Sequence, residues 1–130
     1  MMRTSSDASR VLDTSRIRDL KKMSSEMDGN LFAELLSLFK TNSPGHLNEI
    51  ETAIRLKNAE LLGREAHYLK SSSANLGATE MSELCRRLEI IAEIGAESGR
   101  LDDAAELGQK LQVLFIEACQ ELEKEATSAI

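Results

Sequence analysis

The sequence has no tryptophan, a single proline, two cysteines and two histidines, and aromatic residues make up only 3% of it. Each scarcity excludes something. With one proline, long segments are free of the residue that most strongly breaks helices. Two thiols cannot build a disulfide framework, and both Cys85 and Cys119 sit in helical apolar patterns, where a reduced, buried thiol is the simplest expectation. The few thiols and histidines show no metal-ligand spacing. No apolar run approaches the roughly 20 residues of a membrane span. The first ten residues lack the apolar stretch of a secretory signal, so a cytoplasmic chain away from membranes is expected. Basic charge is also short: 16 Lys and Arg stand against 22 Asp and Glu, a net charge of -6. Nucleic-acid binding calls for a basic stripe, and none is present. There is no Gly-rich phosphate loop and no second domain to hold ATP.

What is present is Leu, Ala, Glu and Lys in helical rhythm. The 130 residues have room for one domain and are 42% hydrophobic. Residues 1–10 are polar and small and are expected to be disordered; residues 11–125 form the domain, and 126–130 are expected to fray. Asp13 can cap a first helix carrying Ile17, Leu20 and Met23. Asp28-Gly29-Asn30 punctuates the chain. A second helix follows with Leu31, Phe32, Leu35, Leu36, Leu38 and Phe39, ending near Lys40. Ser43 and Pro44 read as the cap and first residue of a third helix carrying Leu47, Ile50, Ala53 and Ile54. His46 lies off that stripe and reads as a solvated surface histidine. Asn58 caps a fourth helix and Gly77 ends it. A fifth, from Thr79 to Ala96, buries Met81, Leu84, Cys85, Leu88 and Ile91, with Ile90 and Ile94 widening the stripe until Gly95 and Ser98-Gly99 close it. The last, from Asp102 to Glu125, buries Ala104, Leu107, Leu111, Leu114, Phe115, Ala118 and Leu122. Short loops make neighbours antiparallel. The expected fold is all-α: an up-down antiparallel four-helix bundle with one or two additional N-terminal helices.

The stretch from Leu61 to Ala78 carries the chemistry. At about 100° per residue, Leu62, Ala66, Leu69, Ser73 and Leu76 share one buriable side. His67 falls nearly opposite, among Gly63, Arg64, Lys70, Ser71 and Ala74. A core histidine would sit among the leucines. This one faces water, beside two cations and three residues too small to cover it. A neutral imidazole nitrogen is a good nucleophile, and Lys70 could meet negative charge placed on the ring.

The run His67-Tyr68-Leu69-Lys70-Ser71-Ser72-Ser73-Ala74-Asn75-Leu76-Gly77-Ala78 resembles the signature of histidine-containing phosphotransfer domains, H-x-L-K-G-S-S followed shortly by G-A. Leu84-Cys85-Arg86-Arg87-Leu88-Glu89 resembles that family's second motif, and the likeness extends over residues 12 to 125. One departure stands out: Ser71 occupies the place of the family's usual glycine.

The resemblance implies that His67 accepts a phosphoryl group on Nε2 from the aspartyl phosphate of a response-regulator receiver domain and passes it to another receiver. Lys70 would stabilise the phosphate, and Gly63, Arg64, Ser71 and Ala74 would lie where a receiver docks. The partners implied are receiver domains and a hybrid sensor histidine kinase. No cofactor is expected on this chain, and the divalent metal is expected on the receiver. The chain would have no kinase activity of its own, and one histidine per bundle suffices, so a monomer is expected. Two other readings stay open on the residues alone. One is a non-catalytic helical adaptor. The other is the dimerisation and phosphoacceptor segment of a histidine kinase.

Overall fold

The computed structural model describes residues 11–26, 31–95 and 101–127. Five helices follow in order: α1 (Thr14–Glu26), α2 (Leu31–Leu56), α3 (Ala59–Asn75), α4 (Thr79–Ile94) and α5 (Leu101–Thr127). The last four form the up-down bundle, with α3 packed between α2 and α4, and α5 closing the ring against both. Their inward stripes make one aliphatic core, in which Leu62, Leu69, Leu88, Leu111 and Leu122 are completely buried. The sequence features at Asp28-Gly29-Asn30, at Ser98-Gly99 and in residues 1–10 lie outside the described residues. The final helix runs to Thr127, two residues beyond the expected end of the domain.

The second and third expected helices are one. Helix α2 passes through Pro44 without ending. The reason is the stripe that flanks it: Phe39, Ser43 and Leu47 follow at i, i+4 and i+8 and are all buried. Ser43, expected as a cap, is therefore a core residue at 1% exposure. Pro44 itself is exposed. The Lys40 carbonyl that loses its helical donor can turn to water, so core packing overrides the local cost.

Both ends of α3 are set by capping chemistry. Asn58 has extended backbone and its side chain accepts a hydrogen bond from the Leu61 N–H at 3.1 Å. At the other end the Ala78 N–H reaches the Ser73 carbonyl and the Gly77 N–H reaches that of Ala74, a Schellman closure around Gly77 at φ 79°. Gly77 does more than turn the chain. A Cβ there would stand 2.8 Å from the Asp13 carbonyl oxygen. This close approach lets the Asp13 N–H donate to the Gly77 carbonyl, while Arg16 Nε donates to the Asn75 carbonyl at 2.9 Å. Asp13 also caps α1, accepting from the Ser15 N–H at 3.0 Å. The N-terminal helix is thus fastened to the end of α3, with Ile17 and Leu20 buried. Met23, expected beside them, is 41% exposed. Ile90 and Ile94, expected to widen the buried stripe of α4, are likewise exposed.

Candidate functional site

The wheel drawn for α3 holds in the fold. Leu62, Ala66, Leu69 and Ser73 are at 0% exposure and Leu76 at 2%. Ser73 is accommodated there because its hydroxyl donates back to the Leu69 carbonyl at 2.5 Å. The His67 side chain is 63% exposed on the opposite side. Ser71 and Ala74, one and two turns along, are exposed and small.

The neighbouring helix supplies the residue that organises the ring. Glu89 of α4 lies between His67 and Lys70, with Oε2 at 2.8 Å from His67 Nδ1 and Oε1 at 2.6 Å from Lys70 Nζ. Partial burial pushes the Glu89 carboxyl up, but the hydrogen bonds from Lys70 and His67 outweigh it and hold the group below the ordinary carboxylate range. It is therefore an anion at neutral pH and an acceptor only. An anion at Nδ1 favours the tautomer with the proton on that nitrogen. Nε2 is then left with its lone pair directed to solvent, and among the described residues it has no partner. Sequence reasoning gave Glu89 no role. The signal was its place in the second motif, but its meaning depends on the α3–α4 crossing that brings residues 22 positions apart together.

Lys70, on the same face, is less exposed than the ring: its side chain is 32% exposed and engaged by Glu89. The ammonium thus sits within reach of the same carboxylate as the ring, on a helix tied to α4 by the Ser82 hydroxyl, which donates to the Lys70 carbonyl at 3.0 Å. Arg64 is exposed, with Nε 3.6 Å from Glu65 Oε2. Gly63 is half-buried, and a Cβ on it would meet the Ala92 Cβ at 3.2 Å. Its smallness serves the α3–α4 contact, at the margin of the face on which the sequence places it.

His46 is also corrected. It is half-buried, with Nδ1 2.5 Å from Glu65 Oε1, and its ring stacks on Tyr68. The wheel of α2 alone could not show this, because both partners come from α3. The two thiols are free: Cys85 is buried and Cys119 half-buried. Burial pushes Cys85 up to about 12 and Cys119 up to about 11, so neither is a thiolate nucleophile at neutral pH.

A family model described as the Hpt domain matches residues 34–127, a span that holds both the ring and Glu89. The chain belongs to the Hpt domain family. Hpt proteins act in two-component signalling, alongside receiver domains and kinases. The phosphorelay intermediate protein YPD1 of Candida albicans is 34% identical to this chain over 55 residues. That match covers 42% of this chain and 30% of the yeast protein. The crystal structure of histidine-containing phosphotransfer protein B (HptB) from Pseudomonas aeruginosa PAO1 matches with a TM-score of 0.77 and 23% identity, covering 92% of this chain and 97% of that one. At that identity the likeness speaks for the helical Hpt fold. Among the described residues, no helix is long and apolar enough to cross a membrane.

Proposed function

We propose that this Hpt chain is a phosphorelay intermediate in which His67 takes a phosphoryl group from the aspartyl phosphate of one receiver domain and gives it to the aspartate of another. The observation that carries the reading is the pairing of an exposed imidazole with an anion on Nδ1, which leaves Nε2 as the free nucleophile.

The transfer balances without a proton leaving the ring. The Nε2 lone pair attacks phosphorus, the bond from phosphorus to the aspartyl oxygen breaks, and the carboxylate departs with the electron pair. The product ring carries a proton on Nδ1, the phosphoryl group on Nε2 and a positive charge, which the Glu89 carboxylate faces at close range. In the onward step a receiver carboxylate attacks phosphorus and the P–N bond breaks, returning the pair to Nε2. Such transfers depend mainly on positioning and charge stabilisation. Lys70 is placed to trade its contact with Glu89 for one with the incoming phosphoryl oxygens. The divalent metal and remaining charged groups would come from the receiver, and this chain would supply the nucleophile and a small-residue platform at Ser71 and Ala74. A hybrid sensor kinase would stand upstream. Four long helices of one chain already close the core, which favours a self-contained monomer over a kinase hairpin that needs a second copy.

The test mixes the protein with a receiver domain carrying labelled aspartyl phosphate. Label should move to the chain, resist base and be lost in acid, as a phosphoramidate does. His67→Gln should abolish it. Transfer that survives in His67→Gln, or wild-type protein that takes no label from any receiver, would remove the proposal.

A further inference from the structure

Tyr68 follows the phosphoacceptor directly on α3, and 44% of it is exposed. A tyrosine so placed would ordinarily move among rotamers. This one is pinned. The His46 ring of α2 lies 3.8 Å from it, centroid to centroid, with the planes 25° apart. His46 is fixed in turn by Glu65, whose side chain is only 12% exposed. Glu65 belongs to α3, so the brace runs from α3 to α2 and back to α3. The ring then forms one wall of a shallow groove of about 160 Å³ between α2 and α3, with Leu38, Asn42 and Ser72. Leu38 is itself 56% exposed.

Tyr68 is turned about 100° from His67 on the same helix, toward α2, and both side chains are exposed, so a receiver that reaches Nε2 of His67 and extends over α2 meets this ring. Tyrosine is favoured at the centres of interfaces, because it gives a large contact area for few rotatable bonds. Immobilising it before the encounter removes part of the entropy lost on docking.

We propose that His46, locked on Glu65, is a positioning residue for receiver docking, holding Tyr68 beside the phosphoacceptor in the orientation the receiver meets. This rests on the phosphorelay reading above. His46 takes no part in the bond-making step.

The experiment separates docking from chemistry with two donors. Phosphoramidate is small and needs no docking surface; a receiver domain loaded from acetyl phosphate, chosen because it labels the wild-type chain, needs one. In His46→Leu the receiver concentration at half-maximal rate should rise about fivefold, the scale of one side chain's lost preorganisation. The maximal rate and phosphoramidate labelling should stay within about twofold. His46→Phe keeps a stacking ring but loses the Glu65 contact, and should recover only part of the loss. Tyr68→Ala, at an exposed position, should raise the same parameter, and adding His46→Leu to it should do nothing further. An unchanged half-maximal concentration in His46→Leu, or full additivity with Tyr68→Ala, would overturn the inference. Failure of wild-type His67 to accept phosphate from either donor would instead bring down the phosphorelay reading, and this inference with it.

Discussion

Replacing Glu89 tests the site where its geometry is most specific. The carboxylate makes two contacts, 2.8 Å to His67 Nδ1 and 2.6 Å to Lys70 Nζ. A hydrogen bond to a charged group contributes about 1.5–3 kcal/mol, and the 63% exposure of the ring places this one at the lower end. At about 1.4 kcal/mol per factor of ten, losing it should reduce the reactive tautomer and the stabilisation of the phosphorylated ring by about tenfold together. Glu89→Ala should therefore be labelled by phosphoramidate about tenfold more slowly than wild type. Glu89→Gln keeps an acceptor for the Nδ1 proton but loses the charge, and should fall between the two. Stability should change little, because the groups left behind can reach water. The assay is the initial rate of label entering the chain, with circular dichroism to confirm that each variant is folded. A folded Glu89→Ala protein labelled at the wild-type rate would refute the reasoning.

Lys70→Ala should slow transfer roughly fivefold, the size of a half-exposed charge contact of about 1 kcal/mol, and leave the thermal midpoint within a few degrees; an unaltered rate would count against it. The same substitution changes the response to acid. Glu89 has its carboxyl lowered on folding, so its contribution to stability is present above the unfolded-state value and is lost as pH falls through the folded one. Wild type should keep that contribution to more acidic pH than Lys70→Ala, as read from urea midpoints across an acid titration. Gly77→Ala should lower stability by about 1–3 kcal/mol, since it combines a positive φ with a Cβ 2.8 Å from the Asp13 carbonyl oxygen; a change below about 0.5 kcal/mol in urea unfolding would contradict this. Pro44→Ala should raise stability by about 1–3 kcal/mol, since it restores a helical donor inside α2, and a fall in the urea midpoint would show that the proline suits its place.

How much of this was legible in the sequence depends on where each partner comes from. The burial of Leu62, Ala66, Leu69, Ser73 and Leu76 and the exposure of His67 follow from the period of one helix, so they could be read directly. Caps at Asp13 and Asn58 and the closure at Gly77 are also local and were legible. The break at Ser43-Pro44 misled because cap chemistry is local, while the continuity of Phe39, Ser43 and Leu47 is settled by packing against the rest of the bundle. Glu89 under His67, Glu65 under His46 and Ala92 against Gly63 all join two helices. Their pairing is fixed by how far each helix is rotated and shifted against its neighbour, which no single-helix pattern specifies. The period of one helix therefore put His67 in solvent and left the anion beside it unnoticed.

The proposed transfer depends on which nitrogen of the His67 ring is free. Nitrogen-15 and phosphorus-31 NMR of the histidine-labelled protein, before and after phosphoramidate treatment, reads this directly. The neutral His67 ring should carry its proton on Nδ1, and phosphorylation should place the P–N bond on Nε2 of His67 with the Nδ1 proton retained. A proton on Nε2 in the resting ring, or phosphate bonded to Nδ1 or to another residue, would contradict it.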